Sequence, residues 1–302
     1  QMIPEAIAGA FPEAAPGWHK GTAGAILIVG GSEGLTGAPH LAARAALRAG
    51  GGLISVAAPH GLCRDIKADC PDIMTRALGP AGNVRWSPAS LEELLPFLRQ
   101  CGAMALGPGI GREPETAAFV QALLMCPSRP SAVVDADALH ALAMHPEALS
   151  SLRACDVLTP HPGEAATLLH TTPALVQADR FAALAGLRRL APSVWILKGA
   201  GTLIGTEGQP VTIAPYAEPN LAVGGSGDVL SGCLGTLMAQ TAAHPSEGCE
   251  SSSFLAACMG VYLHARAGTL LRDVFPQRGN SATEIAEMLP RARIGEAAGD
   301  GA

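Results

Sequence analysis

Ala25-Ile-Leu-Ile-Val29 is the stretch whose reading decides the fold. Five apolar residues without alternation leave no polar face for water, so the run reads as a strand covered on both sides, as strands of a parallel sheet are. A glycine-rich turn, Gly30-Gly31-Ser32-Glu33-Gly34, follows it. Residues 37–48 then carry a helical period, and 53–57 is the next apolar run. Outward from there the pattern repeats, with apolar runs at 103–106, 132–135, 157–159 and 194–197. Helical stretches are predicted at 114–126, 137–143, 162–170 and 174–190. Alternating strands and helices imply an α/β fold with a mostly parallel central sheet and helices on both faces. Leu203-Ile204 and the run 211–213, separated by Gly205-Thr-Glu-Gly208, read instead as a hairpin. Two apolar helices at 226–241 and 253–267 and a short last one near 281–289 complete the pattern, and the tail after Pro290 is expected to fray.

The chain has 302 residues, 48% of them hydrophobic but only 4% aromatic, so Ala, Gly, Leu and Val must do most of the packing. No internal repeat and no exposed linker divides it. One domain over 1–302 is expected, with an ordered core at about 19–290. A net charge of −6 without a Lys/Arg run argues against a nucleic-acid partner. The eight cysteines include no Cys-x-x-Cys pair and fall mostly in apolar stretches, which predicts reduced core thiols and no zinc site. Residues 1–18 lack the basic and apolar regions of a signal peptide. The apolar runs are broken by Gly, Asp or Arg, which predicts no membrane span. A cytoplasmic protein is expected.

The Gly-rich segments fall at the carboxyl ends of the predicted strands, where open parallel sheets bind ligands. Gly224-Gly225-Ser226-Gly227-Asp228 leads straight into an apolar helix. Free N–H groups and the positive end of the helix dipole make such a start an anion site, and glycines let the backbone approach a phosphate. Asp228, in the first turn, would be favoured in its ionised form there and could take a proton from an attacking hydroxyl. The plainer alternative is a serine cap with an acid in the first turn. Lys198-Gly-Ala-Gly-Thr202 ends another strand and could hold phosphates, or could be a solvated lysine before a tight turn. His161, in Thr159-Pro-His-Pro-Gly-Glu164, could reach substrate, or the segment could simply open the next helix. Asp135 and Asp137 end a strand, and Asp137 could cap the helix after it. Gly30-Gly31-Ser32-Glu33-Gly34 formally matches a Gly-x-Ser-x-Gly nucleophile elbow, with His264 as a later histidine.

In their order along the chain these segments resemble the ADP/ATP-dependent NAD(P)H-hydrate dehydratase family, of ribokinase-like fold. The resemblance runs from about His19 to Pro290. It rests on His19-Lys20-Gly21, Gly30 to Ala38, residues 105–111, residues 135–139, residues 158–164, residues 197–202 and residues 224–230, with Tyr262-Leu-His264 and residues 281–284. It implies a hydro-lyase of metabolite repair. The hydroxyl on a hydrated nicotinamide ring is phosphorylated by ADP (or ATP) with Mg²⁺ and phosphate is then eliminated, restoring NADH or NADPH. Carried over residue by residue, it makes Asp228 the base and Gly225, Ser226 and Gly227 the anion hole. Lys198, Gly199, Ala200, Gly201, Thr202 and Gly227 would contact the nucleotide. Ala38, Gly109, His161 and Asp228 would contact the hydrated dinucleotide, and no residue is assigned as a metal ligand. Ser226 stands where the family usually has Thr, and Leu221-Ala222-Val223 replaces a more usual Met-Ala-Thr. Many members carry an N-terminal epimerase domain. None is expected here, so a separate hydrate epimerase would be a functional partner and a homo-oligomer, as large as a tetramer, the assembly. The alternatives are another ribokinase-like small-molecule kinase, a non-catalytic nucleotide-binding protein and, more distantly, a serine hydrolase using Ser32.

Overall fold

A computed structural model describes residues 16–243 and 249–293, together with Ile7 and Phe11. A nine-stranded sheet runs through it in the order β3-β2-β1-β4-β5-β6-β7-β8-β9. The strands are β1 (Ala25–Val29), β2 (Leu53–Pro59), β3 (Met74–Leu78), β4 (Ala103–Leu106), β5 (Ser131–Val134), β6 (Val157–Leu158), β7 (Val194–Leu197), β8 (Thr202–Gly205) and β9 (Thr212–Ala214). All pairs from β3 through β7 are parallel, β1 lying between β2 and β4 with Ile26 beside both Ile54 and Ala103. The pairs β7–β8 and β8–β9 are antiparallel, so the predicted hairpin caps one edge. The order reverses between β1 and β4, and at such a reversal the connecting segments diverge and leave a crevice at the strands' carboxyl ends.

Two apolar layers sandwich the sheet. Ile26, Ile28, Ile54, Val56 and Ile196 face one, Leu27, Val29, Leu106, Val134 and Leu197 the other, so alternate residues of each strand are buried on opposite sides. The first layer is made by the helices Gly37–Arg48, Ser226–Ala243, Cys249–Leu270 and Ala282–Arg293. The first two touch backbone to backbone. A Cβ on Gly232 would stand 1.9 Å from the carbonyl oxygen of Ala42, and Ala42, Ala43, Ala45 and Ala46 are fully buried along the contact. Such packing needs small residues, and it holds the start of the Ser226–Ala243 helix above the strand ends.

The departures from the sequence reading have local causes. Strand β3 and the helix Ser90–Leu98 were not predicted. The strand is a half-buried edge carrying Thr75 and Arg76, and the helix contains Pro96. The stretch 174–190 is two helices, Pro173–Ala178 and Arg180–Arg188, because Asp179 leaves helical geometry and its side chain accepts from the Ala182 N–H. The last helix runs through Pro290 to Arg293, with Ala292 fully buried, so residues 291–293 are helix where fraying was expected. Residues 1–6, 8–10, 12–15 and 294–302 lie outside the described residues. One stretch, Ser252–Asp273, is long and apolar enough to cross a membrane, contrary to the sequence reading, but 72% of its most apolar window is buried inside the protein. Its apolarity is that of a core helix. Cys70, Cys233 and Cys258 are buried free thiols, whereas Cys63, Cys101, Cys126 and Cys155 are free and only partly buried.

Candidate active site

The carboxyl end of β5 runs into Asp135-Ala136-Asp137. Ala136 takes φ +50°, a conformation unfavourable for a side chain bearing a Cβ, and so turns the two aspartates to different partners. Asp135 is buried, 2.7 Å from the Lys198 ammonium at the end of β7, and accepts from the Ser231 hydroxyl. Burial alone would raise its pKa. Lys198, with hydrogen bonds from Ser231 and Thr159, outweighs burial and holds it below its ordinary value. Asp137 does not cap the helix it opens: its carboxylate accepts from the Gly111 N–H at 3.2 Å and from Arg112 Nε at 2.6 Å.

Lys198 is therefore not the solvated lysine of the plainer reading. Burial disfavours its charge, but Asp135, Glu164 and Asp228 together raise its pKa, so it stays an ammonium. Its Nζ lies 3.5 Å from where a Cβ on Gly227 would be, directly over the start of the Ser226–Ala243 helix. At that start Gly225 has φ +89°. A Cβ there would meet Leu41 Cδ1 at 2.5 Å and Ala282 Cβ at 3.0 Å, so only glycine fits. The Gly227 and Asp228 N–H groups donate to no other group among the described residues, as first-turn N–H groups have no intrahelical acceptor. Ammonium, helix dipole and free N–H groups thus converge on one point.

Asp228 differs from Asp135 in having no hydrogen-bonded cation. Burial, then the charges of Asp135 and Asp137, push its carboxyl up to about 7 against the pull of Lys198. The ionised state expected from the helix dipole alone is therefore in balance with the protonated one near neutral pH. A carboxyl so tuned can accept a proton and give it back.

Beside the helix start opens a cavity of about 690 Å³, walled by Lys198, Gly199, Ala200, Thr202, Ser226 and Gly227 and, farther in, by the apolar Ala214, Tyr216, Leu221, Leu230 and Val261. Its volume and apolar lining suit a planar base with its phosphates at the polar end. Of the residues expected on the nucleotide, Gly201 is not on this wall. It sits in the β7–β8 turn, where its N–H donates to the Tyr216 carbonyl. Asp228 and Gly225 do not line the cavity either: Asp228 stands with Gly225, Asp135 and Asp137. Ala38 and Gly109 meet at the β1/β4 crevice, a Cβ on Gly109 lying 3.0 Å from that of Ala38.

His161 reaches the cavity mouth and also opens the helix Pro162–Leu168. Its Nδ1 accepts from the Gly163 and Glu164 N–H groups, while Glu164 accepts from its own N–H in a reciprocal capping box. Because Nδ1 is an acceptor, the neutral ring carries its proton on Nε2, 3.4 Å from Glu164 Oε1. Burial and the charge of Lys198 lower the His161 pKa, which favours that neutral donor form. Burial also pushes the Glu164 carboxyl up to about 7. His161 therefore caps its helix and at the same time lines the cavity. The nucleophile elbow does not. Ser32 lies in a loop with four residues between it and the next helix, its hydroxyl donates to the Gly109 carbonyl at 2.9 Å, and His264 is bonded to Ser226 instead.

Residues 26–291 match the family model for NAD(P)H-hydrate dehydratase. The chain belongs to the NAD(P)H-hydrate dehydratase family. It is 34% identical to the ADP-dependent (S)-NAD(P)H-hydrate dehydratase of Neisseria meningitidis over 91% of this chain and 86% of that one. It is 42% identical to the bifunctional NAD(P)H-hydrate repair enzyme Nnr of Moorella thermoacetica, over 90% of this chain and 49% of that protein. The chain spans about half the length of the bifunctional relatives it matches. Among solved structures, a ribokinase-like superfamily protein of Enterococcus faecalis superposes with a TM-score of 0.78 at 21% identity, covering 97% and 94% of the two chains. The Bacillus subtilis ADP/ATP-dependent NAD(P)H-hydrate dehydratase, co-crystallised with ATP and Mg²⁺, gives 0.74 at 23%, covering 95% of each. The fold is ribokinase-like.

Lys198, Gly199, Ala200, Thr202, Ser226, Gly227 and His161, singled out from sequence motifs, line one cavity, whereas the charged contacts around it were not in the motifs. Arg112, which holds Asp137, and Ser231, which holds Asp135, belong to no motif reading, because their partners are 25 and 96 residues away. Glu164 enters the sequence reading only through the segment 159–164 that could open the next helix. Among the described residues no group of three or more His, Cys, Asp and Glu side chains is arranged to hold a metal ion. Mg²⁺ needs no such cage, since it takes most ligands from phosphates and water with one or two carboxylates. The carboxylates near Lys198 fit that more modest demand.

Proposed function

We propose that this chain catalyses the nucleotide-dependent dehydration of hydrated NADH and NADPH. The phosphoryl donor would lie in the 690 Å³ cavity against Lys198, Gly199, Ala200 and Thr202, with its terminal phosphate at the Gly225–Gly227 anion hole. The hydrated ring would approach from the side of Ala38, Gly109 and His161. Asp228 takes the proton of the ring hydroxyl as its oxygen attacks the terminal phosphorus. The bond from that phosphorus to the donor's bridging oxygen breaks. Loss of the new phosphate ester as inorganic phosphate, with a ring proton, then restores the double bond. Mg²⁺, arriving with the nucleotide, would offset phosphate charge. Phosphoryl transfer asks chiefly for position and charge stabilisation, which a helix start under an ammonium can supply.

The observation that carries this reading is the juxtaposition at one helix start of an anion site and a buried carboxyl without a hydrogen-bonded cation, pushed up to about 7. A pure nucleotide sensor has no use for the second. ADP is proposed as the better donor, cytoplasm as the setting, a homo-oligomer as the assembly and an epimerase as the source of the reactive epimer. The test is recovery of reduced-nicotinamide absorbance from chemically hydrated NADH or NADPH with Mg²⁺ and ADP or ATP. Recovery is expected with nucleotide, faster with ADP. Equal recovery without any nucleotide would rule out the phosphorylation route.

A further inference from the structure

His264 is a half-buried ring with no task in the chemistry above. It projects from the helix Cys249–Leu270, which packs beside the helix Ser226–Ala243, and its Nε2 is 3.0 Å from Ser226 Oγ. Both residues line the cavity, and Ser226 is the first residue of the anion-binding helix. We propose that His264 is a positioning residue, whose Nε2–H donates to Ser226 Oγ and turns the Ser226 hydroxyl hydrogen towards the transferring phosphoryl group. This rests on the phosphoryl-transfer reading of the site.

The direction of the bond follows from what the site must bind. A terminal phosphate at the helix start calls for donors, and only with the ring proton on Nε2 does the Ser226 hydroxyl keep its own hydrogen free for that anion. Burial pushes the ring down to about 4, so it is neutral throughout the working range and carries a single N–H, although a hydrogen bond with the Ser226 backbone favours added protonation.

With its oxygen accepting from His264, the Ser226 hydroxyl cannot point its hydrogen back along that bond. Ser226 shares the cavity wall with Gly227 and Lys198, so the hydrogen is left free to point to an anion held there. Serine has a single heavy substituent on Cβ and three staggered positions, so it needs an external partner to hold one of them. A threonine would be restricted by its own branching. The ring therefore supplies the hydroxyl orientation that this serine lacks.

The test is a mutant cycle on the full chain, measuring kcat, the ADP KM and melting temperature with hydrated NADH. His264→Phe, which keeps bulk but removes the donor, is expected to lower kcat by about 10- to 100-fold, below or at the loss of a whole oxyanion donor. The ADP KM should stay within a few-fold. His264→Gln, with a donor of similar reach, should retain most turnover, and His264→Asn, too short to reach, should behave like Phe. That Gln/Asn contrast decides even if the Phe variant does not fold. In a Ser226→Ala background the His264 substitutions should have no further effect on kcat, and Ser226→Thr should recover part of the loss. Equal losses with and without the serine hydroxyl, or a Gln variant as poor as Asn, would overturn the proposal. A wild-type chain inactive on the hydrate would instead overturn the reading of the function, which the same assay reveals first.

Discussion

Two segments of this chain look alike in sequence and do opposite work: Gly30-Gly31-Ser32-Glu33-Gly34 and Gly224-Gly225-Ser226-Gly227-Asp228. The first follows the buried strand β1 and the second an irregular, partly exposed stretch, yet each precedes a helix packed on the same face of the sheet, and the two helices touch. In the first, the glycines serve closeness to other backbone. A Cβ on Gly30 would stand 2.2 Å from the Pro108 carbonyl oxygen, and the Ser32 hydroxyl is spent on the Gly109 carbonyl. In the second, Gly224 has nothing within 4 Å of its would-be Cβ, the Ser226 N–H donates to the Val223 carbonyl but those of Gly227 and Asp228 are unspent among the described residues, and a carboxyl and an ammonium flank them. Glycine and serine mark places where backbone comes close to something. Whether that something is protein or ligand depends on groups brought from elsewhere in the chain.

The largest expected effect lies in the charged member of the second segment. Asp228→Asn keeps shape and much hydrogen bonding but removes the proton acceptor, so turnover at saturating substrate should fall by at least about 100-fold, the lower end for general-base loss. ADP affinity should hold or rise, since a negative charge beside the phosphates is gone. If Asp228 only complemented the helix dipole, the change would cost about 0.3–1 kcal/mol of stability and leave turnover nearly intact. Turnover, ADP affinity and melting temperature on one preparation separate the two.

Next in size is Gly225→Ala. Positive φ costs about 1–2 kcal/mol with a Cβ present, and forcing that carbon against Leu41 and Ala282 adds about 1–3 kcal/mol. A loss of roughly 2–5 kcal/mol in denaturant unfolding is expected, with ADP binding weakened in whatever remains folded. Gly34→Ala meets no atom within 4 Å at φ +80°. It should show only the backbone part of that loss, about 1–2 kcal/mol. Equal losses at the two glycines would mean that the second segment is not held closed by its neighbours.

Those contrasts mark what could be read from sequence. The parallel sheet was legible because 25–29, 103–106 and 194–197 are apolar throughout, and only strands covered on both faces can be. Strand β3 was not, because an edge strand may keep Thr75 and Arg76. The site's position was legible because glycine, aspartate and histidine collect at strand ends. Its charge state was not. That Lys198 neutralises Asp135 and leaves Asp228 raised is set by side chains meeting across the sheet, and a linear pattern carries no such distance. The two readings of Ser32 and Ser226 were separable only through the partners Gly109 and His264, each far along the chain.

The pH dependence gives a smaller effect that sharpens the same comparison. With Asp228 held at about 7, kcat/KM should rise about tenfold per pH unit below that value and level off above it, and the limb should vanish in Asp228→Asn. The stability sign is worked from the same shift. Between its unfolded value and about 7 the native state binds the proton that the unfolded chain has released, so Asp228 makes stability fall as pH rises through that window. Asp135 acts oppositely. Its lowered pKa contributes stability above the unfolded value, lost as pH falls through the folded one. Denaturant melts at pH 5 and 8 should therefore show the Asn variant gaining relative to wild type as pH rises. A gain at the lower pH would contradict the assignment.

The smallest expected effect is at the other serine. Ser32→Ala removes one partly buried hydrogen bond, from Ser32 Oγ to the Gly109 carbonyl, and should lower stability by about 0.5–1.5 kcal/mol. Gly109 adjoins Ala38 at the β1/β4 crevice, so some of that loss could reach substrate binding, but 1.4 kcal/mol bounds it at about tenfold in rate. The effect should fall on the KM for the hydrated dinucleotide, with the ADP KM and kcat unchanged, since Ser32 is not on the wall of the large cavity. A nucleophilic serine would behave otherwise: its removal would abolish turnover at every substrate concentration. Ser32→Ala and Ser226→Ala measured side by side thus put the opening comparison to its hardest test. If the two variants lose kcat alike, the different surroundings of these serines do not govern what they do.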